Sequence, residues 1–203
     1  MKLIFIGAQG SGKGTQGKII ARKMSLCHIS TGDLLREATG KLAEEIHGYI
    51  DEGNLVPNEL ILKLLKQRIS QDDCEKGFIL DGYPRNLEQA KELDKITKID
   101  YVIEIDISDD ESVKRILGRA LCKKCNINYN LVTQPKPVNP EKCDICGGFL
   151  ERRVDDNEEA LRKRLEIYHE DTEPILEHYD SIKINGEQDI KDVSEEILNA
   201  LNE

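Results

Sequence analysis

Short apolar segments alternate with longer amphipathic segments along most of the chain. Five short segments, most of them rich in Ile, Leu and Val, are predicted to be β-strands: Lys2–Ile6, Cys27–Ser30, Gly77–Leu80, Tyr101–Ile107 and Ser181–Ile184. The segments between and after them are predicted to be helices: Lys13–Met24, Thr31–Thr39, Lys41–Asp51, Asn58–Ser70, Asn86–Ile96, Asp109–Leu121, Asp156–Glu177 and Ile190–Leu201. Short apolar strands that alternate with helices are typical of a parallel sheet with both faces covered. The pattern therefore predicts an α/β fold with a doubly wound five-stranded parallel sheet.

Two segments interrupt this alternation. Residues 31–70 are predicted to be helical throughout, which places a helical flap outside the sheet. The segment Cys122–Arg153 has no helical period and contains four cysteines, three prolines and a Gly-Gly pair. We expect this second segment to be a small insertion with its own fold.

A glycine-rich loop, Gly7–Thr15, connects the first predicted strand to the first predicted helix. Glycine adopts backbone angles that other residues avoid, so the N–H groups of such a loop can converge on a phosphate at the helix N-terminus. Lys13 would add a positive charge for the outer phosphates. A simple glycine turn is the alternative, but the position of Lys13 favours a phosphate-binding loop.

The residue after Lys13 is Gly14, whereas most phosphate-binding loops have a Ser or Thr there that holds Mg²⁺; here the hydroxyl comes at Thr15. Magnesium would then be held through water molecules that carboxylates orient, since Mg²⁺ readily keeps several waters. Asp33 and Asp81 are candidates because each lies near the end of a predicted strand. Taken alone, Asp33 is better explained as a carboxylate at a helix start, and Asp81 as a turn residue.

The insertion carries two Cys-x-x-Cys pairs. The four cysteines are Cys122, Cys125, Cys143 and Cys146. Two such pairs, with prolines and glycines that suit tight turns, are typical of one tetrahedral Zn²⁺ site. A site with four thiolate ligands is closed to water, so the zinc would be structural. Cys27 and Cys74 lie outside this pattern, and Cys27 is expected in the core.

Composition excludes several classes of protein. With 29 Lys and Arg against 39 Asp and Glu the net charge is −10, which disfavours general nucleic-acid binding. No stretch approaches the roughly 20 apolar residues of a membrane span, and Leu3–Ile6 is too short for the core of a signal peptide. We therefore expect a cytoplasmic protein without membrane partners, whose cysteines bind metal rather than form disulfides.

Four motifs, in this order along the chain, resemble those of the adenylate kinases. They are Gly7–Thr15, Ser30-Thr-Gly-Asp33, Leu80-Asp-Gly-Tyr-Pro-Arg85 and Arg153-Val-Asp-Asp156. The cysteine insertion resembles the zinc-bearing lid of the long family members. The resemblance implies the reaction MgATP + AMP ⇌ MgADP + ADP in a monomer. It also implies a core of residues 1–30, 71–121 and 157–203, a monophosphate-binding flap of residues 31–70 and a zinc-binding lid of residues 122–156.

The same resemblance implies roles for individual residues. The implied ATP-binding residues are Gly10, Ser11, Gly12, Lys13, Gly14, Thr15, Arg115, Arg119 and Gly186. The implied AMP-binding residues are Thr31, Gly32, Arg36, Asn54, Val56, Gly82, Arg85, Gln89, Arg153 and Arg164. The residues implied to act on the transferring phosphoryl group are Lys13, Arg85, Arg119, Arg153 and Arg164. Arginines suit this chemistry because one guanidinium can bind two phosphate oxygens.

Some positions leave alternatives open. Gln89 follows Asn86 by three residues, so it is as well explained by a helix capping box as by contact with the AMP adenine; the resemblance favours the adenine. The lid departs from the family pattern at Asn126 and Asn130, where Gly and His are frequent.

Two other functions compete with the kinase reading. One is a zinc-ribbon protein that binds nucleic acid and uses nucleotide as a switch, which the net charge and the 4% aromatic content disfavour. The other keeps the fold with a different acceptor monophosphate or with GTP as donor.

Overall fold

A five-stranded parallel sheet forms the centre of the molecule. The structure is a computed structural model that describes residues 1–40, 44–46, 49, 56–125, 127–152 and 158–202, without the side chains of Arg36 and Glu37. The strands are β1 (Lys2–Ile6), β2 (Cys27–Ser30), β3 (Phe78–Asp81), β4 (Tyr101–Asp106) and β8 (Ile182–Asn185), in the spatial order β2-β3-β1-β4-β8. The predicted doubly wound parallel sheet is confirmed, and each predicted strand ends within one residue of the observed strand.

Helices cover both faces of this sheet. They are α1 (Lys13–Met24), α2 (Thr31–Glu37), α3 (Asn58–Ile69), α4 (Leu87–Asp94), α5 (Asp109–Leu117), α6 (Glu158–Ile167), α7 (Ile175–Tyr179) and α8 (Ile190–Ala200). A 3-10 turn at Asp72–Cys74 precedes β3, and a π-helical turn at Tyr168–Thr172 follows α6. None of the helices within the described ranges combines the length and apolar character that crossing a membrane requires.

The central strand β1 explains why the core has two halves. Its residues alternate between faces, so that Ile4 and Ile6 pack into one apolar cluster, and Leu3 and Phe5 into the other. All four side chains are at most 2% exposed. A strand buried on both faces holds the loop that follows it in a fixed position.

A second, antiparallel sheet joins the cysteine insertion to the residues that directly precede it. Its strands are β5 (Arg119–Cys122), β6 (Ile127–Asn130) and β7 (Leu150–Glu151), in the order β6-β5-β7. The insertion also has an apolar cluster of its own, with Ala120, Tyr129 and two cysteines at the centre. This confirms a small insertion with its own fold.

The predicted helix Asp109–Leu121 is wrong at its C-terminal end. Helix α5 stops at Leu117, and Arg119 pairs with Asn130 in the antiparallel ladder of β5 and β6. Gly118 permits the change of direction, because a Cβ there would lie 2.5 Å from Asn130 Oδ1. Strand pairing across the insertion therefore overrides a helical pattern that continues in the sequence.

Other helix boundaries also differ from the predictions. The predicted helix Asp156–Glu177 is divided among α6, the π-helical turn and α7, and its first two residues lie outside the described ranges. Helix α2 ends at Glu37, two residues before the predicted end. Of the predicted helix Lys41–Asp51, residues 44–46 and 49 are described and helical, while the others lie outside the description.

Candidate active site

The carboxyl ends of β1, β2 and β3 bring the predicted phosphate-binding groups to one edge of the sheet. Asp81, the last residue of β3, is in register with Phe5 of β1 on one side and with Ser30 of β2 on the other. The glycine-rich loop leaves β1 at this edge, and α2 begins there directly after β2. Ligands of open α/β sheets bind at such an edge.

The glycine-rich loop has a backbone that only glycine adopts without strain. Gly7, Gly10 and Gly12 have φ angles of 150°, 81° and 101°. A Cβ on Gly7 would lie 2.3 Å from the backbone oxygen of Ile105 in β4, so the loop packs directly against the sheet. Turns of this kind form concave surfaces that bind anions.

The Lys13 ammonium group lies inside this loop. Its Nζ donates hydrogen bonds to the backbone oxygens of Gly7 at 2.5 Å and Ala8 at 2.8 Å, and a longer one to Ser11 Oγ at 3.4 Å. Burial lowers the pKa of Lys13 from 10.5 to about 8, although the negative charge of Asp81 opposes this shift. The loop thus holds a cation at a position that favours an anionic ligand.

Asp81 faces the first turn of α1. A Cβ on Gly14 would lie 3.2 Å from Asp81 Oδ2, so a larger residue at position 14 would crowd the carboxylate. Burial acts to raise the pKa of the Asp81 carboxyl, but the imidazole of His28 and the ammonium of Lys13 face it and hold the pKa below its usual value. Asp81 is therefore ionised at neutral pH and available to orient water around a cation.

Sequence reasoning missed His28, which lies beside Asp81. Its Nε2 is 3.5 Å from Asp81 Oδ2. Gly17 in α1 makes room for the ring, because a Cβ there would lie 2.6 Å from the imidazole. No sequence pattern connects Gly17 with His28, because the two residues meet only in the folded structure.

The start of α2 places Thr31 and Asp33 at the same edge. Ser30 caps the helix, because its side chain accepts a hydrogen bond from the Asp33 N–H at 3.3 Å. Thr31 Oγ1 donates to the backbone oxygen of Asp81 at 3.4 Å. The Asp33 carboxylate thus lies in the first turn of α2, while Asp81 is the carboxylate whose negative charge acts on the Lys13 ammonium.

The turn after β3 positions Arg85. Gly82 has a φ angle of 82°, and its backbone oxygen accepts a hydrogen bond from Arg85 Nε at 2.9 Å. The positive charges of Arg85 and Arg164 are near enough to act on each other electrostatically. Burial and the nearby Arg164 charge lower the pKa of Arg85, whereas the negative charge of Asp81 opposes this shift.

The buried side chain of Gln89 makes contacts that differ from both sequence interpretations. Asn86 does cap α4, since its side chain accepts from the Gln89 N–H at 2.9 Å. The Gln89 amide, however, accepts from the Arg85 N–H at 2.8 Å and donates to Asn58 Oδ1 at 2.7 Å, instead of reaching back to Asn86. Gln89 thus connects the arginine turn to the start of α3.

Among the remaining predicted residues, Arg115 contacts the glycine-rich loop. Arg115 Nη1 donates to the Gly10 backbone oxygen at 3.4 Å, and Arg115 Nε donates to Glu111 at 2.8 Å. Arg119 lies on β5, and Gly186 follows β8, where its N–H donates to the Asp106 backbone oxygen at 2.7 Å. Gly32 lies in α2, Thr15 lies in α1, and Val56 lies just before α3. The Arg36 side chain and all of Asn54 and Arg153 lie outside the described residues.

The four insertion cysteines form one cluster. The sulfur atoms of Cys122, Cys125, Cys143 and Cys146 all lie within 4.8 Å of one another. A tetrahedral zinc with Zn–S bonds of about 2.3 Å places its sulfurs about 3.8 Å apart. Cys122 Sγ and Cys146 Sγ lie 3.6 Å apart, which fits that requirement.

The surroundings of this cluster favour one thiolate in particular. The Tyr129 hydroxyl, 3.6 Å from Cys143 Sγ, and the backbone N–H groups of Cys146 and Ile145 lower the pKa of Cys143 to about 6, although burial opposes them. Gly147 follows the second cysteine pair with a φ angle of 68°, and its N–H donates to the Cys143 backbone oxygen at 2.8 Å. These contacts favour the thiolate form of Cys143, which is the form that binds a metal.

Asn130, which departs from the family pattern, attaches the insertion to the core. Its Nδ2 donates to the Arg115 backbone oxygen at 2.7 Å, and its Oδ1 accepts from the N–H groups of Val132 and Thr133, both at 2.9 Å. The Leu131 N–H donates to the Gly118 backbone oxygen at 2.7 Å. Asn130 therefore closes the base of the insertion instead of binding metal.

Comparisons with known proteins agree with this geometry. The family model of adenylate kinase matches residues 5–184. The adenylate kinase of Caldicellulosiruptor bescii is 42% identical, with 99% of each protein covered. The adenylate kinase of Acetivibrio thermocellus is 44% identical, over 99% of this chain and 98% of the relative. That of Archaeoglobus fulgidus is also 44% identical, over 97% of this chain and 96% of the relative. The chain therefore belongs to the adenylate kinase family, whose members transfer a phosphoryl group between ATP and AMP.

Proposed function

We propose that the chain catalyses MgATP + AMP ⇌ MgADP + ADP at the carboxyl edge of β1, β2 and β3. The observation that carries this proposal is the convergence of Lys13, Asp81 and Arg85 at that edge, with Lys13 inside the glycine-rich loop. Phosphoryl transfer needs alignment of the two substrates and neutralisation of spread negative charge, and these residues supply both.

The ATP phosphates bind in the glycine-rich loop in this proposal. The backbone of Gly10, Ser11, Gly12, Gly14 and Thr15 surrounds them, and the Lys13 ammonium exchanges its carbonyl partners for phosphate oxygens. Arg115 supports the loop through Gly10, which favours its place on the ATP side. Arg119 and Gly186 complete this half of the site, with Gly186 behind the adenine.

The AMP phosphate binds between the arginine turn and the helical flap. Arg85 and Arg164 supply the charge here, together with Arg36 and Arg153, while Thr31, Gly32 and Gly82 lie beside them. The AMP base lies near Gln89, Asn54 and Val56. For Gln89 to pair with adenine, its Nε2 must release Asn58 Oδ1, so AMP binding would change a hydrogen bond between α4 and α3.

Magnesium and zinc have separate places. Asp81 and Asp33 would hold Mg²⁺ through water, and the metal would neutralise part of the phosphate charge. Because Gly14 has no side chain and Asp81 lies against it, the carboxylate replaces the hydroxyl that other phosphate-binding loops use. The four insertion cysteines would hold one Zn²⁺ with no open coordination site, which restricts its role to folding.

The core, the flap and the lid have different roles in the reaction. Residues 1–30, 71–121 and 157–203 form the core, residues 31–70 the flap, and residues 122–156 the lid, which excludes water when both substrates are bound. A monomer in the cytoplasm, with no partner other than ATP, AMP and ADP, suits these small substrates and thiols that are kept reduced.

A coupled assay of ADP formation tests this function. ATP and GTP should be offered as donors, each with AMP, GMP, CMP and UMP as acceptors, in the presence and absence of Mg²⁺. We expect ATP with AMP to be the preferred pair and activity to require Mg²⁺. Lys13→Met should lose several orders of magnitude in turnover, since the charge that aligns the phosphates is removed, while Lys23→Met at the exposed end of α1 should retain activity.

Three results would contradict the proposal. Equal rates with all four acceptors would remove the AMP assignment, and near-normal turnover in Lys13→Met would remove Lys13 from the mechanism. Tight binding of nucleic acid at low salt, without ADP formation, would favour the zinc-ribbon alternative.

A further inference from the structure

A second group of cysteines lies outside the lid. Cys27 in β2 and Cys74 in the 3-10 turn before β3 are 7% and 5% exposed. Their sulfur atoms and a carboxylate oxygen of Asp73 all lie within 4.8 Å of one another. Among the described residues, it is the group of neighbouring thiols outside the four lid cysteines.

Arg68 of α3 connects the members of this group. Its Nη2 donates to Cys27 Sγ at 2.8 Å and its Nη1 to Cys74 Sγ at 3.1 Å. The same two nitrogens bind both oxygens of Asp73 at 2.7 and 2.8 Å. A guanidinium therefore occupies the position that a metal cation would need, and this distinguishes the cluster from the zinc site.

We propose that Cys27 and Cys74 are a redox-modifiable dithiol that a low-molecular-weight disulfide converts to an intrachain disulfide. The thiolate of one cysteine attacks a sulfur of the small disulfide, and this forms a mixed disulfide and releases one small thiolate. The second cysteine then attacks the protein sulfur of the mixed disulfide, which forms the Cys27–Cys74 bond and releases the second small thiolate. The two thiol protons pass to the two released thiolates, so two protein thiols are oxidised and one small disulfide is reduced.

Three features of the cluster support this chemistry. The two sulfurs lie within 4.8 Å of each other, so they can meet once the Arg68 guanidinium releases them. The Arg68 charge stabilises either thiolate as it forms. Asp73, whose side chain is 57% exposed, places the edge of the cluster at the surface, where a small disulfide can approach.

A disulfide between Cys27 and Cys74 would link two points that are far apart in the sequence. Cys27 precedes and Cys74 follows the whole segment that carries α2 and α3. A bond between them would close residues 28–73 into a ring and restrict the unfolded chain. Burial raises the pKa of Cys27 to about 12, so the exchange is slow at neutral pH and must be followed for hours.

The test uses the zinc-loaded protein in anaerobic buffers that contain different ratios of oxidised to reduced glutathione. After acid quenching, free thiols are alkylated in denaturant and the digest is mapped by mass spectrometry. We expect a peptide that links Cys27 to Cys74, with a mass loss of two hydrogens and a defined ratio at half-conversion. We also expect the oxidised protein to melt about 5–10 °C higher than the reduced protein. Cys74→Ser should lack both the linked peptide and the shift in melting temperature.

Several outcomes would overturn the proposal. Alkylation of both cysteines at every glutathione ratio would do so, as would linkage only to lid cysteines, or glutathione on either cysteine without the cross-link. A second equivalent of zinc that Cys74→Ser removes would identify a metal site instead. Because peptide mapping reports each cysteine separately, loss of zinc from the lid would not be mistaken for any of these results.

Discussion

The buried charge of Lys13 should make the nucleotide-free protein less stable at neutral pH than at high pH. The folded loop lowers the Lys13 pKa from 10.5 to about 8, so between these values the unfolded chain binds more protons than the folded one. Stability must then rise with pH through that window. The difference between the two pKa values corresponds to about 3 kcal/mol, of which about 2 kcal/mol falls between pH 7 and pH 9.5.

Lys13→Met removes this dependence but keeps most of the apolar stem. The variant also leaves the backbone oxygens of Gly7 and Ala8 without the hydrogen bonds from Nζ, at a cost of about 1 kcal/mol each. Set against the roughly 3 kcal/mol released by removing the charge, the nucleotide-free variant should be about 1 kcal/mol more stable than the parent at pH 7. At pH 9.5 the parent carries a mostly neutral amine and has regained about 2 kcal/mol, so the variant should then be about 1 kcal/mol less stable than the parent.

Urea unfolding of the zinc-loaded protein without nucleotide measures these differences. The parent, Lys13→Met and Lys23→Met are compared at pH 7 and pH 9.5, and the last variant corrects for general effects of removing an exposed lysine. A stability difference between parent and Lys13→Met that changes by less than about 0.5 kcal/mol between the two pH values would contradict a buried Lys13 charge. So would a Lys13→Met variant that is more than about 2 kcal/mol less stable than the parent at pH 7.

Three further predictions follow from single contacts. Removal of zinc from the four lid cysteines should lower the melting temperature, because the small lid lacks a core large enough to fold alone, and an unchanged melting temperature would contradict a structural metal. Gln89→Ala should reduce discrimination between AMP and other monophosphates by about 1–3 kcal/mol in the coupled assay, whereas lower stability with unchanged selectivity would leave Gln89 only its contacts to Arg85 and Asn58. Gly17→Ala should destabilise the protein by about 1–3 kcal/mol in urea, since the new Cβ would lie 2.6 Å from the His28 ring, and adding His28→Ala should recover most of the loss.

Local patterns in the sequence predicted the sheet and brought the main chemistry into view. Strands β1, β3 and β4 are short and buried over most of their length, so their apolar residues are nearly continuous in the sequence. The glycine-rich loop and the cysteine pairs are equally local, because the spacing itself creates the geometry. These parts of the structure needed no information about distant contacts.

The features that sequence reasoning missed all depend on contacts between distant residues. The helix after Asp109 was extended too far because nothing before Gly118 shows that Arg119 will pair with Asn130. In the same way, the partners of Gln89 lie in another helix and in a turn, and His28 meets Asp81 only once β2 and β3 are paired. Tertiary pairing overrides local preference at each of these places.

Helix α5 connects the glycine-rich loop to the cysteine insertion. In its middle, Ser112 Oγ donates to the Gln9 backbone oxygen at 2.5 Å, while near its end the Arg115 backbone oxygen accepts from Asn130 at 2.7 Å. These two hydrogen bonds lie about one turn apart on the same helix. The insertion can therefore move relative to the glycine-rich loop only if one of the two hydrogen bonds is lost. The Asn130 contact lies next to Gly118, where the chain leaves the helix and enters strand β5. Movement of the insertion should therefore be absorbed at Gly118 and Asn130, which leaves α5 and the loop fixed to the sheet.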